Sequence, residues 1–113
     1  MLVTNRFVVE AETVDEFTRA AHAALAALAA RPGYLRGELL RALDDPDHWV
    51  LITEWESVGA YRRALGGFDV KVTAVPLLAR SADEPSAYET LASAAPEGEI
   101  VVVASDRAAG PSR

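Results

Sequence analysis

Two residues stand out as capable of chemistry. Asn5 lies between Val3 and Phe7 in a stretch that alternates in polarity, so its amide falls on the apolar side. A buried amide without a partner costs about 1–3 kcal/mol, so something must satisfy it. Backbone or water would do so in the plain structural reading, and a ligand oxygen in the functional one. Trp55 ends a run in which Trp49, Leu51, Thr53 and Trp55 share one face. It is either a core aromatic or a flat surface that stacks a planar ligand and donates one hydrogen bond. Phe7, Tyr34, Leu51, Tyr61 and Phe68 are the candidates to line a substrate pocket around these two, and each would serve equally well as core or interface. Arg36, Arg41 and Lys71 could steady a phenolate, each a weak signal alone.

Other chemistries find little support. The chain has 113 residues and no cysteine, which removes disulfides, thiolate zinc sites, iron–sulfur clusters and thiol catalysis. Its seven glycines form neither a dinucleotide fingerprint nor a phosphate loop. No nucleophile elbow is present. The two histidines, His22 within a helix and His48 at a hairpin, show no spacing that makes a metal site. No cofactor and no metal is expected. A net charge of −6 repels phosphate backbones, so nucleic acid is not an expected partner. Residues 1–7 carry no apolar signal core, and the alanine-rich stretch 20–30 is too short to span a bilayer. These features predict a soluble, cytoplasmic protein without membrane association.

The elements that must position the candidates follow from periodicity. Residues 2–10 alternate and read as a strand. Thr13 and Glu16 fit a capping box for a helix over 14–30, with Val14, Phe17, Ala21, Ala24, Leu25 and Leu28 as its apolar stripe. Pro32-Gly33 stops it. Residues 34–43 and 48–56 read as strands joined through the turn Asp44-Asp45-Pro46-Asp47. Ser57 caps a second helix over 58–65, which Gly66-Gly67 breaks. The stretch 68–79 is ambiguous: its β-branched residues favour a strand, while Phe68, Val72, Val75 and Leu78 or Ala79 fit a helical stripe; a short helix is favoured, which Pro76 could kink or end. A fourth strand is expected over 86–94. The run 99–104 reads as an all-apolar strand needing cover on both sides, from this chain or from a second subunit. The expectation is one α+β domain over 1–104, with strand order along the chain β-α-β-β-α-β, and a disordered tail over 105–113.

Asn5-Arg6-Phe7-Val8-Val9, Arg31-Pro32-Gly33-Tyr34, the run from Trp49 through Trp55 to Ser57, and Ala60-Tyr61-Arg62-Arg63-Ala64-Leu65 together resemble the antibiotic-biosynthesis monooxygenase family. The resemblance spans residues 3–91 and looks closest to the anthrone oxygenases of aromatic polyketide pathways. It implies a ferredoxin-like fold with an antiparallel sheet and helices on one face. It also implies a homodimer, with a pocket between sheet and helices in each subunit. The implied activity is cofactor-independent oxidation of a polycyclic aromatic polyketide, anthrone or phenol to quinone, with O2. Polyketide cyclases are implied as occasional partners. Asn5 and Trp55 match the family's implicated asparagine and tryptophan and are the implied catalytic residues. Leu51 stands where the family has a second asparagine.

Two alternatives use the same fold. A non-oxidising polyketide cyclase or accessory protein would need a pocket but not O2. A haem-degrading monooxygenase would need a tryptophan and a histidine where this chain has Ala64 and Ala74. A purely structural or signalling dimer is the remaining reading.

Overall fold

The computed structural model describes residues 1–105, so the tail expected over 105–113 lies, Ser105 apart, outside the described residues. The alternating stretch forms β1 (Leu2–Val8), and a 3-10 turn (Ala11–Thr13) leads into α1 (Val14–Ala29). Then come β2 (Tyr34–Arg41), β3 (His48–Trp55) and α2 (Val58–Leu65). Two short helices follow, α3 (Phe68–Thr73) and α4 (Val75–Leu78), and then the two-residue strands β4 (Ala87–Tyr88), β5 (Ala92–Ser93) and β6 (Val101–Val102). β1 to β4 make one antiparallel sheet in the order β2-β3-β1-β4. This is the expected α+β, ferredoxin-like architecture.

Three local expectations are corrected. Thr13 makes no capping bond to the helix, because its hydroxyl donates to Glu10 O (3.0 Å) and completes the 3-10 turn instead. The fourth strand shrinks to two residues that pair with Leu2 and Val3. Beyond them the chain leaves the sheet, and Ala92–Ser93 pairs with Val101–Val102 as a separate ribbon. The helix over 68–79 breaks at Ala74, as Pro76 leads one to expect, because proline has no N–H to continue the hydrogen-bond ladder. The buried stripe of this region is Val70, Ala74 and Leu77, while Phe68 and Val72 face outward. Both sets have helical spacing; the set containing alanine allows closer approach to the neighbouring layer.

Other signals hold. Ser57 Oγ accepts from the Ala60 amide (3.0 Å) and starts α2. Gly33 turns the chain from α1 into β2 with φ of +88°, a conformation that disfavours any side chain. Its carbonyl accepts from the Glu56 amide (2.8 Å), so this turn abuts the end of β3.

The core lies between the sheet and the helices. The sheet contributes bulk from Val3, Phe7, Trp49, Leu51 and Trp55. The helical layer answers with Phe17, Leu28, Val70 and Leu77 and with five alanines at 21, 24, 60, 64 and 74. Small residues on the helices against large ones on the strands let the layers approach closely. On the opposite face of the sheet, Val8 and Leu40 are exposed, and Arg36 pairs with Glu54 (3.0 Å) and Glu38 (3.5 Å). The apolar residues 100–103 are also exposed in the single chain.

Candidate functional site

Strand register arranges the candidates as a grid on the helix-covered face. Phe7 faces Trp49, Asn5 faces Leu51, and Val3 faces Thr53 across β1 and β3. On the other side of β3, Arg41, Leu39 and Gly37 stand beside Trp49, Leu51 and Thr53, and Tyr34 stands beside Trp55. Side chains two apart share a face, so every residue in this grid looks toward the helices or the sheet margin.

Among the described residues, two polar side chains are buried in this face, Asn5 (8% exposed) and Thr53 (3%). Asn5 makes no side-chain hydrogen bond to the described residues, so its amide is uncommitted. Trp55 is fully buried, and its Nε1 donates to Thr53 Oγ1 at 2.9 Å. That bond turns the indole back along β3. Asn5 and Trp55 lie four residues apart in register, about 13 Å along the strand. The Thr53 row is a diagonal neighbour of Asn5 at about 7–8 Å. Bending the ring toward Thr53 therefore shortens the distance between the two candidate groups.

Tyr34 and Tyr61 flank Trp55. Tyr34 meets it edge-on at 5.4 Å and 86°, and Tyr61 lies tilted at 5.5 Å. Burial pushes both phenols up from the usual range, with Arg36 partly opposing the shift at Tyr34. Both are neutral at physiological pH and suited to donate a hydrogen bond rather than take a proton. At the other end of the face, Phe7, Phe17 and Trp49 form a second aromatic group, with centroids at 5.1 and 5.5 Å.

The structure thus sets Asn5, Leu51, Trp55, Tyr34 and Tyr61 along one stretch of this face, with Phe7 on the same face at the end away from Trp55. It does not bring in Phe68, which is 79% exposed on the first turn of α3, off the stripe set by Val70 and Ala74. The cations considered for a phenolate also lie elsewhere. Arg36 pairs with Glu54, Arg41 Nε donates to Pro46 O (2.8 Å) while stacking on Trp49, and Lys71 is exposed on α3. Thr53, on the face shared with Trp49, Leu51 and Trp55, reads in the sequence as an ordinary strand residue. The signal available was its position between Leu51 and Trp55 on the apolar face.

Three clefts flank the site in the single chain. A cleft of about 480 Å³ opens beside the β2–β3 hairpin, lined by residues including Arg6, Leu40, His48 and Val50 from the opposite face. Two smaller clefts of about 190 and 230 Å³ lie near Ser57 and Glu84. None of the three is lined by Asn5, Leu51 or Trp55. Ala64 and Ala74 are buried in the core, where a methyl offers neither stacking nor a metal ligand. Among the described residues, no group of three His, Cys, Asp or Glu side chains could hold a metal ion. No helix among them is long and apolar enough to cross a membrane.

Comparison with known proteins bears on this geometry. No curated protein matches the chain in sequence. Among solved structures it is similar to SnoaB from Streptomyces nogalater, a cofactor-independent oxygenase, with 33% identity over 80% of this chain and 94% of that one and a TM-score of 0.63. A mutant of the same protein aligns over 95% of this chain and 93% of its own at 26% identity and a TM-score of 0.62. Rv0793 from Mycobacterium tuberculosis shares the fold at 16% identity, over 96% and 97% of the two chains, with a TM-score of 0.61. Residues 1–73, which carry β1 to β3 and the helices from α1 to α3, match the family described as antibiotic biosynthesis monooxygenase. With three of the four strands of its sheet and the first-strand asparagine in that matched region, the chain belongs to the antibiotic biosynthesis monooxygenase family.

Proposed function

We propose that this protein is a cofactor-independent oxygenase that converts an anthrone-type aromatic polyketide into its quinone with O2. The observation that carries the reading is the uncommitted Asn5 amide, buried on the same face as the Trp55–Tyr34–Tyr61 aromatic group. The likeness to SnoaB supports the choice of reaction class.

In the balanced reaction, one oxygen atom becomes the new ring carbonyl. The other leaves as water with the two hydrogens of the oxidised methylene. Triplet O2 reacts slowly with closed-shell molecules, but an anthrone anion is electron-rich enough to pass it an electron. The protein's task is to favour that anion, orient it and exclude water. The Asn5 N–H donates to the oxyanion, and Trp55 with its two tyrosines supplies a flat apolar wall. The neutral phenols of Tyr34 and Tyr61 are poor proton acceptors, so deprotonation relies on the acidity of the substrate itself, enhanced by Asn5.

A planar ligand reaches Asn5 by displacing part of the helical layer. The α3–α4 stretch is the part that yields, since helices of six and four residues hold their shape only through packing. Arg80 fastens its end to α1 through two bonds to Glu16 at 3.0 and 3.1 Å. A homodimer in the cytoplasm completes the proposal. The exposed Val8, Leu40 and 100–103 residues are apolar surface that a second copy would cover.

The test is oxygen uptake by purified, chelator-treated protein given dithranol, a dihydroxyanthrone, against an anaerobic control. Uptake well above the uncatalysed rate with quinone as product supports the proposal. Absence of uptake across several anthrones, with ring closure of a poly-β-ketone instead, would favour the cyclase.

A further inference from the structure

We infer that Thr53 is the second polar contact of the site, donating its hydroxyl proton to a ligand oxygen alongside Asn5. The inference rests on the oxygenase reading for its ligand class, an oxygenated planar aromatic. Thr53 Oγ1 already accepts the Trp55 N–H at 2.9 Å, so one of its two lone pairs is engaged and Trp55 has no proton left to offer. Its donor side is free among the described residues. Its cross-strand neighbours are Val3 and Gly37, which bring no polar side chain, and the Tyr34 phenol that lies over Gly37 makes no hydrogen bond to it. The core side of the helical layer is apolar, with Ala60, Ala64, Val70, Ala74 and Leu77 among its residues. A buried hydroxyl proton in such surroundings gains most from a ligand acceptor. Asn5 is the other buried polar side chain, and the diagonal relation puts it within about 7–8 Å of Thr53, close enough for both to reach the same oxygen-bearing edge of a ligand. The polar pair facing substrate is therefore Asn5 and Thr53, with Trp55 acting through its ring.

The test uses the full chain with dihydroxyanthraquinone, and with anthracene as the same ring system without oxygens. Dissociation constants are measured for wild type, Thr53→Val and Thr53→Ser. The Trp55 indole N–H is followed by NMR, told from that of Trp49 by Trp49→Phe. Thr53→Val is expected to weaken quinone binding about tenfold, the size of one ordinary hydrogen bond, and to leave anthracene binding unchanged. It should also shift the Trp55 N–H resonance, and Thr53→Ser should restore both. Because Thr53→Val strands the Trp55 N–H, the pair Trp55→Phe and Thr53→Val/Trp55→Phe repeats the comparison without a stranded donor; the same tenfold loss is expected between them. Equal weakening of quinone and anthracene would reduce Thr53 to packing and overturn the inference. Unchanged quinone binding in Thr53→Val, or no quinone binding by wild type, would overturn it too. Oxygen uptake is scored separately. No uptake with hydroxyl-dependent quinone binding intact would sink the oxygenase reading and uphold Thr53.

Discussion

Asn5 stands directly opposite Leu51 across the β1–β3 ladder, an uncommitted amide facing an aliphatic side chain on the core side of the sheet. Such a pairing costs stability, since the amide makes no bond to the described residues and keeps only a margin of water contact. Asn5→Val should therefore raise stability by about 1 kcal/mol while lowering anthrone turnover at least tenfold. Urea unfolding and oxygen uptake on the same preparation measure both. A variant that loses stability and keeps full turnover would show that the amide serves the fold and not the ligand.

Trp55 carries a different balance. Trp55→Phe leaves a void and strands the Thr53 hydroxyl, so a loss of about 2 kcal/mol is expected in urea unfolding. Turnover should slow as well, because the ring that walls the site no longer bends back toward Thr53. Unchanged kcat and KM would remove Trp55 from the site.

Gly37 makes room for Tyr34. A Cβ there would lie 2.6 Å from Tyr34 Oη and 2.8 Å from Leu25 Cδ1. Gly37→Ala should push the Tyr34 ring out of its edge-on contact with Trp55. The expected result is a several-fold rise in KM with kcat nearly unchanged. A crystal structure of the variant with Tyr34 undisturbed would refute this account.

The flanking phenols predict an alkaline limb. Burial raises the Tyr61 pKa above its ordinary 10.0, so the fold favours the neutral form. That contribution is fully present below the unfolded value and is lost as pH rises through the folded one. The urea midpoint should fall above pH 10, more steeply in wild type than in Tyr61→Phe.

The Arg80–Glu16 clasp predicts how the site opens. Arg80→Ala should speed amide hydrogen exchange across α4 while leaving β1 to β3 protected. Quinone binding should slow exchange across the α3–α4 stretch in wild type. Exchange there that ignores both would place the opening elsewhere.

Local signals in the chain were enough to define most elements and the face on which the candidates lie. Period-two alternation in β1 and β3 put Asn5 and Trp55 on the apolar side, and Ser57 and Gly33 marked boundaries that the fold keeps. These are short-range effects, set by backbone sterics and side-chain spacing. The tertiary structure decided what depends on pairing across the chain. Register placed Asn5 against Leu51 and Thr53 beside Val3, which no run of residues reveals because it depends on how two distant strands slide past each other. It selected Val70, Ala74 and Leu77 over Phe68 and Val72 as the buried stripe, since both have helical spacing and only packing against the sheet separates them. It also gave the Trp55 N–H to Thr53, a contact between two side chains that the alternation only places on one face.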